Sequence, residues 1–167
     1  NTLHSFQDGE IFFYAGKPYT LTLHKGTCDA IIVKGSSFLV SYTAWPMETQ
    51  VVCNLIKELY RKAARKRIVP LLSYWAEALH LAIPPFSVRD SKSRWGSCSA
   101  KGRLSFSLRC QILDDKQLSY LVLHEMAHVI HFNHSREFHA LLFYHMSDYK
   151  QVQKSIFSLQ QESQLCH

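Results

Sequence analysis

At 167 residues and 47% hydrophobic, the chain can build one well-packed domain but not several. No run of 18 apolar residues occurs, and the first ten residues lack a signal peptide's charged-then-apolar pattern, so neither a membrane span nor a secretory leader is expected. Five dispersed cysteines without a Cys-x-x-Cys pair read as reduced thiols of a cytoplasmic protein, and a formal charge of +6 favours anionic partners.

Residues 11–42 alternate and break like an antiparallel meander. The expected strands are Ile11–Tyr14, Tyr19–His24, Ala30–Val33 and Phe38–Tyr42, with turns at Gly16-Lys17, Lys25-Gly26-Thr27 and Lys34-Gly35-Ser36. From about Met47 the period becomes helical. Val52, Leu55, Ile56, Leu59 and Ala63 form an apolar stripe opposite Lys57, Arg61, Lys62 and Arg65. Pro70 either opens a second helix or kinks one long helix, and Pro84-Pro85 ends the helical stretch. The basic cluster Arg61, Lys62, Arg65, Lys66, Arg67 reads first as a solvated helix face.

Residues 86–108 carry short strands around Val88, Trp95–Ser99 and Arg103–Leu108, with Ala100-Lys101-Gly102 as a hairpin turn. Asp114 is an expected N-cap for a helix that carries Leu118, Leu121, Val122 and Met126 into the core. Asn133 is a helix stop, Ser135 a second N-cap, and the tail after Asp148 an amphipathic peripheral helix. These elements make an α+β chain: residues 1–45 as an N-terminal antiparallel sheet, residues 46–167 as the remainder of one compact domain.

The helix after Asp114 contains His124-Glu125-Met126-Ala127-His128. Histidines four apart share one helix face, so both imidazoles can reach one ion, with Glu125 beside the first of them. His131 falls on the same face. However, at 1.5 Å per residue it lies about 10 Å from His124 along the axis, and three residues in a line do not make a tetrahedral cap. The chain must bend back, and His134 after Asn133 is the nominated third ligand. Glu137 is the next candidate, and His139 and His145 read as ordinary surface or core histidines. One Zn2+ per chain is expected, with another divalent metal as the variant. Three neutral imidazoles leave one position for water, and Glu125 is the expected catalytic base.

Arg94-Trp95-Gly96-Ser97-Cys98-Ser99, then His124-Glu125-x-x-His128, then Asn133-His134-Ser135 with Phe138 resembles the YgjP-like metallopeptidase family, a relative of the WLM and SprT-like zinc peptidases. The resemblance is strongest over residues 86–144. It implies a zincin-like fold, zinc on His124, His128 and His134, and Glu125 as general base. The tryptophan that commonly follows the phenylalanine of the last motif is replaced by His139.

Two chemistries and one non-catalytic role compete on the residues. A metallopeptidase would use Arg94, Tyr144 or His145 to hold an oxyanion, and could pair an extended peptide with the hairpin edge. A nucleoside triphosphate pyrophosphohydrolase, acting for example on UTP, would instead use Lys92, Arg94, Ser97 and the Gly96 backbone as a phosphate cradle. A binding module would recruit nucleic acid or protein through its basic patch. Cys98 is expected to be a core thiol or to lie behind the metal site.

Overall fold

The structure, a computed structural model, describes residues 3–160 and residue 165. Its first sheet contains β1 (Ile11–Tyr14), β2 (Lys17–Lys25), β3 (Ala30–Lys34) and β4 (Ser37–Tyr42). The strands fall where the alternation puts them, and β1/β2 and β3/β4 pair antiparallel. The order, however, is β1-β2-β4-β3, with β2 and β4 parallel, so the sheet is not a simple meander. Burial explains the inversion. On β4, Phe38 and Val40 are fully buried, whereas Ile32 of β3 is 58% exposed. The strand with two core side chains takes the inner position and β3 becomes an edge that ends in Lys34.

The long helix α1 (Thr49–Leu79) runs unbroken through Pro70, resolving the choice between two helices and one. Proline removes one hydrogen bond to the Lys66 carbonyl. Both residues are exposed, while Ile68, Leu72 and Trp75 anchor the adjoining turns in the core. The helix closes at His80 in the left-handed region, φ 56°, with the Leu81 N–H donating to the Ala76 carbonyl at 2.8 Å. Against the first sheet it contributes Tyr60, whose hydroxyl donates to the Phe13 carbonyl amid a cluster of Phe12, Tyr14, Tyr19 and Phe38 rings.

The basic residues of α1 do more than face solvent. Arg61 donates to the Val88 carbonyl (2.9 Å), Arg65 stacks over Phe86 (4.7 Å to the ring centre), and Arg67 reaches the Leu113 carbonyl and Asp115, each at 3.0 Å. The Arg61 and Arg65 contacts fasten α1 to a second sheet of β5 (Phe86–Arg89), β6 (Gly96–Cys98) and β7 (Leu104–Ser107), ordered β5-β7-β6, and those of Arg67 fasten it to the segment that follows the sheet. The β6–β7 hairpin turns where expected, with Gly102 at φ 76° and its N–H donating to the Ser99 carbonyl.

A 3-10 turn (Leu108–Ile112) leads to α2 (Asp115–Ile130), followed by α3 (Arg136–His145) and α4 (Tyr149–Ser158). Asp114 caps α2 through a reciprocal box with Gln117, and Ser135 caps α3 through the Phe138 N–H. The two halves meet at this first cap. The Ala15 and Gly16 N–H groups donate to the Gln111 and Ile112 carbonyls at 2.7 and 2.9 Å. Gly16, at φ 79°, lies so close that a Cβ there would be 2.6 Å from that of Asp114.

Cys28, Cys98 and Cys110 are free thiols, but Cys53 is disulfide-bonded, which corrects the expectation that every cysteine is reduced. Cys166 lies outside the described residues. Among the described residues no helix is long and apolar enough to cross a membrane.

Candidate metal centre

Leu118, Leu121, Val122 and Met126 bury one face of α2, and this turns His124 and His128 together toward the opposite side. The helix stops at His131, three residues before His134, and the bend brings that third imidazole back over the first two. Ring centres are 5.0 Å apart for His124 and His128, 5.5 Å for His124 and His134, and 4.7 Å for His128 and His134. One nitrogen from each lies within 4.8 Å of the others, a set that could hold a metal ion. Fully buried Phe138, delivered by the Ser135 cap, packs against all three rings.

Hydrogen bonds define which nitrogens are free. His128 Nδ1 lies 3.2 Å from the His131 carbonyl, which can only accept, so Nδ1 carries the proton and Nε2 keeps its lone pair. That Nε2 faces His134 Nε2 at 3.1 Å. His124 Nδ1 lies 3.1 Å from the Tyr120 hydroxyl one turn back, leaving its Nε2 directed at the same space. Burial pulls His124 down to about 4, helped by repulsion from His128, His134 and His139, and burial also lowers His128. Both rings are therefore neutral at pH 7, as nitrogen donors to a cation must be.

Glu125 is only 4% exposed, its Oε1 lies 3.7 Å from His124 Nε2, and its Oε2 has no hydrogen-bond partner. Burial pushes its carboxyl up to about 7, against a small opposing pull from Arg94. Gly96 makes room for it: a Cβ there would sit 3.1 Å from Glu125 Cγ and 3.3 Å from the Ser105 carbonyl oxygen. A buried acid without a partner beside three converging imidazoles suits a bound cation and a polar reactant.

β6, which contains Gly96, is the edge of its sheet. The bonds Ser107 N–H to Trp95 C=O and Ser99 N–H to Arg103 C=O define the pairing phase. Residues 95, 97 and 99 bond to β7, so Gly96 and Cys98 present their backbone groups to the open side.

The YgjP-like, metallopeptidase domain family model matches residues 1–158, from ahead of β1 to the end of α4. The chain belongs to the YgjP-like family. Among curated proteins nothing matches the chain.

Within this YgjP-like domain the remaining sequence candidates are spread unevenly. Arg94 lines a cavity of about 300 Å³ with His124 and Glu125, and it also borders the small adjoining recess that Lys92 lines with Ser107 and Arg109. Ser97 is half-buried in β6. Tyr144 is 83% exposed, and its ring meets His145, which in turn packs on Trp75; the structure joins neither to the three histidines. Glu137 lies exposed in the first turn of α3 and is not part of the cluster. His131 supplies only its carbonyl to His128, and His139 bonds Tyr149 through Nδ1 at 3.1 Å. Cys98 is half-buried, its thiol pushed up by burial and by Glu125.

Sequence reasoning missed four contributors. Gly96, expected in the Trp95–Ser99 strand and as backbone for a phosphate cradle, also makes room for Glu125. Tyr120, one helical turn before His124, carried a spacing signal that went unused. The Asp90 carboxylate, which pairs with Lys57 and with buried Arg109, fixes the loop that carries Arg94. The fourth is α4, whose Ile156 and Phe157 form a wall of the cavity.

Proposed function

We propose that the protein is a zinc-dependent metallopeptidase in which His124, His128 and His134 hold the metal and Glu125 is the general base. The observation that carries this reading is the convergence of three imidazole nitrogens beside a buried carboxylate whose Oε2 has no partner, next to Gly96 on the edge strand β6. Zinc–nitrogen bonds of about 2.0–2.1 Å in a tetrahedron put neighbouring nitrogens about 3.3 Å apart. The 3.1 Å between His128 and His134 suits that spacing. Bound there, zinc would supply Lewis acidity and bring the pKa of a coordinated water toward neutrality.

The chain's own residues account for the rest. The His131 carbonyl orients His128 and holds its proton on Nδ1, and the Tyr120 hydroxyl orients His124. Glu125 takes a proton from the attacking water and returns it to the leaving amine, from a position beside His124. The outward-facing backbone groups of Gly96 and Cys98 can pair with an extended polypeptide, holding its scissile bond over the histidines. A second hollow of about 330 Å³, between Ser99–Gly102 and His128, Val129, Ile130 and Phe132, lies on the other side of the histidines and gives such a chain room to continue.

Exposed Lys92, Arg94, Lys101 and Arg103 favour a second reading, hydrolysis of a nucleoside triphosphate such as UTP. Zinc-replete protein assayed against an unstructured protein, a peptide library and a panel of nucleoside triphosphates separates the two. Peptide cleavage with no nucleotide turnover is expected. One zinc per chain should be retained in Glu125→Gln and lost in His134→Ala. Full activity of the glutamine variant would remove Glu125 as the base. No turnover of any substrate, together with salt-sensitive nucleic-acid binding, would favour a non-catalytic module.

A further inference from the structure

The cavity beside Glu125 is bounded on one side by the Ser93–Gly96 segment and on the other by α4 and the residues just after it. Gln153, Ile156 and Phe157 line it at i, i+3 and i+4 on one face of α4, and Gln160 in the turn after the helix extends that wall. Trp95 and Leu121 complete an apolar interior, and at about 300 Å³ it lies at the small end of the range of ligand sites.

The wall is tied to the helix that bears His124. Gln117 donates to Ser155 Oγ at 3.0 Å, Lys116 pairs with Asp148, and Tyr149 stacks on Tyr120 with ring centres 6.5 Å apart. The cavity therefore keeps a fixed place relative to the candidate metal centre.

Its lining carries one charge of each sign, with Glu125 buried and Arg94 at the exposed rim. Among the described residues, Glu125 is the only carboxylate in its lining, and Arg94 makes no ion pair. Arg94 is exposed at the rim of the same cavity. A guanidinium with no fixed partner above an apolar floor suits a ligand that is apolar at its tip and anionic next to it.

We propose that this cavity is the specificity pocket of the enzyme: it takes one bulky apolar side chain of an extended polypeptide, and Arg94 pairs with an acidic residue adjacent to that side chain. This rests on the metallopeptidase reading and adds the sequence class of its substrate. Phe157, 75% exposed at the mouth, covers the inserted side chain. A basic residue beside the cleavage site would meet Arg94 and be rejected.

The test is cleavage-site profiling of a proteome-derived peptide library by zinc-loaded wild type, Arg94→Glu and Phe157→Ala. Both positions are exposed, so neither substitution disturbs the core. Wild-type sites should be enriched in Leu, Met, Phe or Tyr at one position, with Asp or Glu beside it. Arg94→Glu should reverse the charge preference, with kcat/KM on an acidic peptide falling about tenfold or more and rising on its lysine counterpart. Phe157→Ala should raise KM for bulky apolar sites roughly three- to tenfold, with little change in kcat. Cleavage without this preference, or with the same preference in all three proteins, overturns the pocket and leaves the peptidase standing. Absence of cleavage by zinc-loaded wild type overturns both.

Discussion

The first sheet and the second, with the helix packed on it, are supported by the same long helix, yet they treat polar groups differently. Around β1–β4 the interior is a cluster of Phe12, Phe38, Tyr14, Tyr19 and Tyr60 rings, and its buried hydroxyl, that of Tyr60, is bonded to a carbonyl. Around β5–β7 the strands are rich in serine. Here lie the two buried side-chain atoms that, among the described residues, lack a partner: Arg109 Nε and Glu125 Oε2. One half maximises packing and the other keeps a carboxylate unsatisfied. An unpaired buried acid costs stability, so its presence marks where the fold serves chemistry.

The sharpest way to break this contrast is Glu125→Gln. It should lower kcat about a thousandfold while zinc content, read by elemental analysis, stays at one per chain. In the other half, Phe38→Ala should cost about 3–5 kcal/mol in a urea titration without altering zinc affinity below the unfolding transition. A comparable loss of zinc affinity would show that the two regions do not divide the work.

The acid itself gives a third test. Its carboxyl stands at about 7 in the folded metal-free protein against an ordinary 4.5, so between those values the native state holds the proton more tightly than the unfolded chain. The stability this group contributes is full below about 4.5 and is lost as pH rises to 7, on the order of 3 kcal/mol. Metal-free Glu125→Gln should therefore gain on wild type by that amount between pH 4.5 and 8. His124 titrates in the opposite sense in both proteins, so the difference between them reports the acid together with its coupling to His124 Nε2, 3.7 Å away. A pH-independent difference would mean that Glu125 is hydrated in solution.

Smaller effects refine the picture. Gly96→Ala would press its methyl on Glu125 and should reduce kcat/KM about 10- to 100-fold with little change in zinc content. Tyr120→Phe removes the hydroxyl beside His124 and should weaken zinc binding about tenfold in a chelator competition. Unchanged affinity would assign Tyr120 to packing against Tyr149 alone.

What could be read from the residues follows the range of the forces involved. The His124 and His128 spacing, the Asp114 and Ser135 caps and the Gly102 hairpin are local, each decided within a few residues, and all are where the sequence puts them. That His134 rather than His131 comes back over His124 and His128 follows from helix rise, a local quantity too. The misses are long-range. Nothing within β2, β3 or β4 says that β4 will insert between the other two; that depends on which strand α1 buries. The charges of Arg61, Arg65 and Arg67 looked solvated until Val88, Phe86 and Leu113 came beneath them. Likewise α4 reads as a peripheral amphipathic helix, and only tertiary packing makes its exposed Phe157 part of a cavity beside Glu125.

The contact of the Gly16 turn with the start of α2 has a practical consequence for anyone seeking a minimal hydrolase. The backbone amides of the β1–β2 loop hold the carbonyls that lead into Asp114, and no larger residue fits at the crossing. Cutting the chain near residue 46 to free the His-Glu-x-x-His half would strip that brace and leave its first turn unmoored. The amino-terminal strands behave as a keystone here, and a transplant of the reactive half should carry them along.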